Sequence, residues 1–166
     1  MVGKRQQLTL FVSDPTRSIE KIRLAFNPEQ FRLIAAHVTL CREDEISPIG
    51  NIVQNLKNIK IDCPLSIQFS GAERFAGDAG VLMSAKHSEA FQALRRNILR
   101  GSAELISHHD PHITLMHPRN SSCTDEIFDE IESYELPVEL DFEEVSLIEQ
   151  INGRPWRLIE KYRICD

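Results

Sequence analysis

His37-Val38-Thr39-Leu40 and His112-Ile113-Thr114-Leu115 are two copies of one pattern, His-x-Thr-Leu, set 75 residues apart. Both lie in apolar runs that read as β-strands. Successive side chains of a strand alternate between faces. His37 and Thr39 therefore share one face and Val38 and Leu40 the other. His112 and Thr114 are likewise opposed to Ile113 and Leu115. Each copy pairs a titratable imidazole with a hydroxyl above a buried apolar face. A single histidine on a strand is weak evidence of chemistry. Two chance copies in a chain of this composition would be rarer than roughly one in a thousand.

The elements around the motifs repeat with them. Leu8 to Ser13 reads as a strand. Ser13-Asp14-Pro15 starts a helix that carries Ile19, Ile22 and Phe26 and that Asn27-Pro28 ends. The first motif strand spans Phe31 to Leu40. A second helix runs from Ser47-Pro48 through Ile49, Ile52, Val53, Leu56 and Ile59, and a strand at 65–70 follows. Gly71 to Gly80 reads as a loop and Val81 to Lys86 as a strand. Ser88 caps a third helix with Phe91, Leu94, Ile98 and Leu99 inward, and Thr124 caps a fourth. Val138 to Ile148 alternates as one strand past a bulge. Asn152-Gly153 marks a hairpin turn before a closing strand. A shift of 75 residues lays the helix near 15–26 on that near 88–100, the helix near 48–59 on that near 124–135, and the strand at 65–70 on that at 138–145. The expected fold is α+β and bilobal. Two pseudo-two-fold-related lobes of antiparallel sheet with flanking helices surround a central cleft. The chain 1–166 forms a single domain with approximate halves 1–75 and 76–166, and strands can be exchanged between lobes.

Composition narrows the function classes. The 166 residues are 42% hydrophobic and 27% charged, as in ordinary globular proteins. No run approaches the roughly 18 apolar residues of a membrane span. The N-terminus lacks a signal-peptide core, so the expected location is the cytoplasm. Cys41, Cys63, Cys123 and Cys165 are scattered without Cys-x-x-Cys, and are expected to be reduced thiols rather than zinc ligands. A net charge of −6 argues against a protein that grips long nucleic acid and favours a small nucleotide or an RNA end. No obligate protein partner is evident.

Two imidazoles facing one cleft from opposite lobes suit acid–base work. One takes a proton from a nucleophile while the other gives one to a leaving oxygen. Thr39 and Thr114 can then donate hydrogen bonds to non-bridging phosphate oxygens. Phe11 is a candidate for base stacking and equally for the core, and Phe75 for the cleft or for loop packing. Arg42 and Arg119 follow the motifs and are candidates to attract phosphate, although strand parity sets them opposite the histidines. His87 and His117 read as surface residues, Trp156 and Tyr162 as core or interface, and Glu139 to Glu149 as a solvated strand face. His108, His109, Asp110 and His112 have metal-ligand chemistry, but the first half has no matching set, so no metal is expected.

The two tetrapeptides, within Ala35-Ala36-His37-Val38-Thr39-Leu40 and Asp110-Pro111-His112-Ile113-Thr114-Leu115, resemble the paired motifs of the 2H phosphoesterase superfamily. The match is nearest to its 2′-5′ RNA ligase and cyclic phosphodiesterase branch. The opening strand and helix, and the Pro before the second motif, are also similar to that family. The resemblance implies a bilobal α+β fold, no metal and no cofactor. It implies His37 and His112 as the acid–base pair, Thr39 and Thr114 as phosphate ligands, and Phe11 as a base-stacking aromatic. It implies a substrate with a 2′,3′-cyclic phosphate on a nucleotide or RNA terminus, an ADP-ribose cyclic phosphate, or a 2′-5′ linkage. Reversal of the esterase would give a weak ligase that needs no ATP. Glu73 and Asp78 in the loop 71–80, with Arg74 the only cation there, argue against an extended RNA. A nucleotide-binding module without catalysis and a metal-dependent phosphoesterase centred on His109, Asp110 and His112 are the alternatives. Specificity is assigned to the loops 71–80 and 100–111.

Overall fold

Every strand pairing in the computed structural model is antiparallel, and the eight strands form one curled sheet in the order β6-β3-β4-β5-β2-β1-β7-β8. The structure describes residues 3–102 and 107–166, so part of the loop 100–111 lies outside the described residues. The strands are β1 (Lys4–Phe11), β2 (His37–Cys41), β3 (Leu65–Phe75), β4 (Gly80–Ala85), β5 (His112–Met116), β6 (Glu139–Phe142), β7 (Glu144–Ile151) and β8 (Arg157–Arg163). The helices are α1 (Ser18–Phe26), α2 (Pro28–Leu33), α3 (Gly50–Asn58), α4 (Glu89–Ile98) and α5 (Asp125–Glu132).

The two motif strands lie side by side at the centre, with Val38 opposite Ile113. Both of these residues are fully buried, as is Leu40. Beneath them α1 packs against β5 and α4 against β2, so each helix supports the motif strand of the other repeat. The strands cross over as well. β3 pairs with β4 and β6, and β7 pairs with β1.

The helices explain a pair of charged residues in the core. Ile19, Ile22 and Arg23 on α1 correspond to Phe91, Leu94 and Arg95 on α4, and both arginines are buried. Each ties down the segment before a motif strand. Arg23 Nη2 donates to the Ile34 carbonyl at 2.7 Å, and Arg95 Nη2 to the Ser107 carbonyl at 2.8 Å. Arg23 is paired with Glu20. Arg95 meets Glu45 at 2.6 Å and also donates to the Leu40 carbonyl, at the end of β2. A buried ion pair is tolerable when the remaining donors are used in this way.

Several local expectations change. α1 begins at Ser18, not at Pro15. Asp14 instead accepts hydrogen bonds from Thr16 and Ser18, which holds the turn ahead of the helix. Residues 28–33 form α2, so the first motif strand starts only at His37. Most of the expected loop 71–80 is strand. Gly71 lies in the register irregularity between Phe69 and Ala72, where a strand glycine is at home, and the turn is confined to 76–79. Glu139 to Ile151 is two strands on different parts of the sheet, not one bulged strand. Glu149 is buried, held by Lys4 at 2.8 Å and by Arg157 and Gln6; these partners keep its carboxyl down at about 2. Cys63 and Cys165 form a disulfide, contrary to the all-thiol expectation. The Ile61 N–H donates to the Ile164 carbonyl and brings these distant segments together. Cys41 and Cys123 are free and buried. Asn152-Gly153 makes the expected turn, with φ of 52° and 71°.

Replacing Arg95 by Met strands the Glu45 carboxylate and should cost about 3–5 kcal/mol of unfolding free energy by denaturant titration. The double variant Arg95→Met/Glu45→Gln should recover part of that loss. Wild-type stability in Arg95→Met would show that the pair does not brace the motif strands.

Candidate active site

The pairing of Val38 with Ile113 sets the geometry of the four motif side chains. One residue to either side, His37 lies opposite Thr114 and Thr39 opposite His112. The two histidines are therefore diagonal neighbours, about 7–8 Å apart at the backbone. The two threonines occupy the other diagonal. All four are half-buried and line one cleft of about 640 Å³.

The imidazoles are oriented identically. His37 Nδ1 lies 2.8 Å from the Ala35 carbonyl and His112 Nδ1 lies 3.0 Å from the Asp110 carbonyl. A carbonyl only accepts, so each Nδ1 carries the hydrogen. The Nε2 atom of each ring is left for the cleft. Burial, with the charges of Arg23 and His112 adding to it, lowers the His37 pKa to about 4, against the pull of its bond to Ala35. His37 is thus a neutral base at pH 7.

His109 supports this arrangement from behind. It is buried, with its ring 6.0 Å from that of His112 and 6.1 Å from that of Phe91. Its Nε2 donates to the Thr39 carbonyl at 2.9 Å, and its Nδ1 accepts from Arg42 Nη2 at 3.0 Å. Burial, and next to it Arg42, Arg95 and His112, lower its pKa to about 4. His109 is thus a neutral strut between the backbones of the two motif regions. The four candidate metal ligands diverge: His108 binds Asp110, His109 turns inward and His112 faces the cleft. Among the described residues no group of three or more His, Cys, Asp or Glu converges as a metal site.

The remaining candidates separate. Arg119 lines the cleft. Arg42 does not; it is spent on His109. Phe11 pairs with His37 across β1 and β2, and its ring meets the imidazole at 6.4 Å and 67°. It lies outside the cleft lining and borders a separate hollow with Ser13 and Phe142. Phe75 ends β3 and covers Gly80, where a Cβ would come within 2.5 Å of its ring. It is a packing residue of the hairpin.

Sequence reasoning missed part of the cleft wall. Trp156 lines it, anchored by its N–H to the Leu33 carbonyl and faced by Arg5 at 5.5 Å. His117 and Gln30 line it too. Three arginines, Arg5, Arg23 and Arg119, face the cleft against one carboxylate, Glu29, so the site is locally basic in an acidic chain. The apolar-stripe position of Arg23 and Arg95, four residues after Ile19 and Phe91, was a usable signal. Nothing local marked Trp156, which a loop delivers.

Among the described residues no helix is long and apolar enough to cross a membrane. No curated protein matches the chain at the level of sequence. Solved structures do match over nearly its whole length. E. coli LigT in apo form aligns with a TM-score of 0.62 at 17% identity, covering 100% of this chain and 99% of that one. E. coli LigT complexed with phosphate gives 0.58 at 16%, covering 98% of each chain. TT0787 of Thermus thermophilus gives 0.60 at 17%, covering 96% of this chain and 97% of that one. At these identities the likeness is one of fold. The family model of the 2′-5′ RNA ligase superfamily matches residues 11–154. With that match over most of its length, the chain belongs to the 2′-5′ RNA ligase superfamily.

Proposed function

We propose that the protein is a metal-independent cyclic phosphodiesterase that hydrolyses 2′,3′-cyclic phosphates on small nucleotides or RNA termini. The observation that carries this reading is the crossed His–Thr arrangement, with each Nδ1 anchored on a carbonyl and each Nε2 directed to the cleft. A cytoplasmic setting, where nucleotides and RNA ends are found, goes with it.

The phosphate sits between the imidazoles, with the Thr39 and Thr114 hydroxyls donating to its non-bridging oxygens. Neutral His37 takes a proton from water as the water oxygen bonds to phosphorus. The bond from phosphorus to one ribose oxygen breaks, and protonated His112 gives that oxygen its proton. The products are a phosphomonoester and a free hydroxyl. The low pKa of His37 favours it as the base. Run in reverse with a 5′-hydroxyl as the nucleophile, the same groups form a phosphodiester without ATP. The diagonal placement suits in-line attack, because base and acid approach from opposite corners of the four-residue frame.

Turnover of a 2′,3′-cyclic nucleotide should persist in EDTA and fall by about 10²–10⁴-fold in His37→Ala and in His112→Ala. Wild-type turnover in either variant rules out the two-histidine mechanism. Loss in chelator that a divalent ion restores would favour a metallophosphoesterase. Tight nucleotide binding without turnover would make the protein a binding module.

The pH profile offers a second check. Protonation removes the base, so kcat/KM of the free enzyme should hold on acidification through the ordinary imidazole range and fall only towards pH 4. An NMR titration of the His37 ring should give the same midpoint. A midpoint near the unperturbed value of about 6.5 would take the base role from His37.

A further inference from the structure

The turn after β5 carries a pair of donors with nothing to donate to. His117 Nδ1 accepts the backbone N–H of Arg119 at 3.1 Å, so the hydrogen of the neutral ring is on Nε2. That Nε2 lies 3.2 Å from Arg119 Nη2. A guanidinium only donates, so two N–H groups face each other without an acceptor between them. Such an arrangement is satisfied by an anion. The other two arginines of the cleft are already paired, Arg5 with Glu43 and Arg23 with Glu20. Among the described residues no carboxylate lies within ion-pair distance of Arg119.

The turn is pre-built. Asn27 has the residue type of a helix cap ahead of α2, but its side chain makes no cap there. It is buried, and its Oδ1 accepts the His117 N–H at 2.8 Å while its Nδ2 donates to Asn120 Oδ1 at 2.9 Å. Asn120 Nδ2 donates in turn to Gln30 on the α2 wall at 3.0 Å. The pair is therefore held against a fixed wall of the cleft. Along the chain His117 lies three residues beyond Thr114, about 10 Å if extended. One phosphate cannot span both, but a nucleoside bearing phosphates on both sides of its sugar can. The other repeat has no equivalent. Arg42 stands 75 residues before His117, and its side chain is engaged by His109.

We propose that His117 and Arg119 form a second anion subsite. It takes a phosphate on the 5′ side of the sugar whose cyclic phosphate lies between His37 and His112. The substrate class is then a nucleoside or short oligonucleotide carrying a 2′,3′-cyclic phosphate and a further 5′ phosphate. The assignment rests on the phosphodiesterase reading above. It breaks the pseudo-symmetry of the site, because only one orientation of the substrate places its second charge at these residues. Burial and Arg119 both lower the His117 pKa, consistent with a neutral ring that donates from Nε2.

Equilibrium binding of adenosine 2′,5′-bisphosphate and adenosine 2′-monophosphate, measured by calorimetry, tests the subsite without requiring turnover. Wild type should prefer the bisphosphate by about 10-fold or more, as expected for one charge-assisted contact. Arg119→Met should bring the ratio close to one, and His117→Ala should reduce it. Lys57→Met, which removes an exposed cation on α3, should keep the ratio and so controls for net charge. Arg119 is exposed, so its replacement leaves the fold intact, and circular dichroism checks this. Equal affinities in wild type, no binding of the bisphosphate, or a ratio that survives both Arg119→Met and His117→Ala overturns the subsite. A preserved, Arg119-dependent ratio in a protein without turnover would overturn the phosphodiesterase reading and leave the subsite standing.

Discussion

The pairing of Val38 with Ile113 is the constraint on which the rest depends. It is a contact between the two repeats at the middle of the sheet. Side chains alternate with period two, so a slip of one residue on either strand would turn a histidine and a threonine into the core. Both apolar partners are fully buried, and that burial fixes the register. The same two residues that hold the lobes together thus determine which imidazole faces which hydroxyl.

The support around that pair is duplicated, but the cleft above it is not. Arg23 and Arg95 hold the segments before the two motif strands from equivalent helix positions, and Ala35 and Asp110 fix equivalent ring nitrogens. Duplication supplies two nearly identical acid–base groups. Asymmetry has to give them different roles. Burial and Arg23 hold His37 neutral. Beside His112, the place that Phe11 takes at His37 belongs to Ser84, which donates to Glu73. The basic wall built from Arg5, Arg119 and Trp156 lies on one side only. A pseudo-symmetric frame with an asymmetric wall is what a directional substrate needs.

The central features were legible because they depend on periodicity. The alternation in the two tetrapeptides placed the four motif residues on one face, and the 75-residue repeat placed the faces together. The antiparallel α+β sheet followed from the same spacing. What could not be read depends on contacts distant in sequence. Strand alternation runs unbroken through Glu143, so nothing local tells that β6 and β7 pair with different neighbours. α2 is six residues long and lacks a side-chain cap, which leaves too little periodicity to distinguish it from strand. Gly71 looked like a loop because a bulge and a turn call for the same residue. Cys63 and Cys165 have no spacing motif and meet only through the pairing of Ile61 with Ile164. Trp156 and His117 reach the cleft on turns, whose direction neither composition nor parity specifies.

The most direct measurement is a crystal structure of the protein soaked with vanadate, which adopts the five-coordinate geometry of phosphoryl transfer. The vanadium should lie between His37 Nε2 and His112 Nε2, one at each apical side, with the Thr39 and Thr114 hydroxyls on equatorial oxygens. An anion bound by one histidine alone, or seated away from the crossed pair, would contradict a single acid–base site divided between the two repeats.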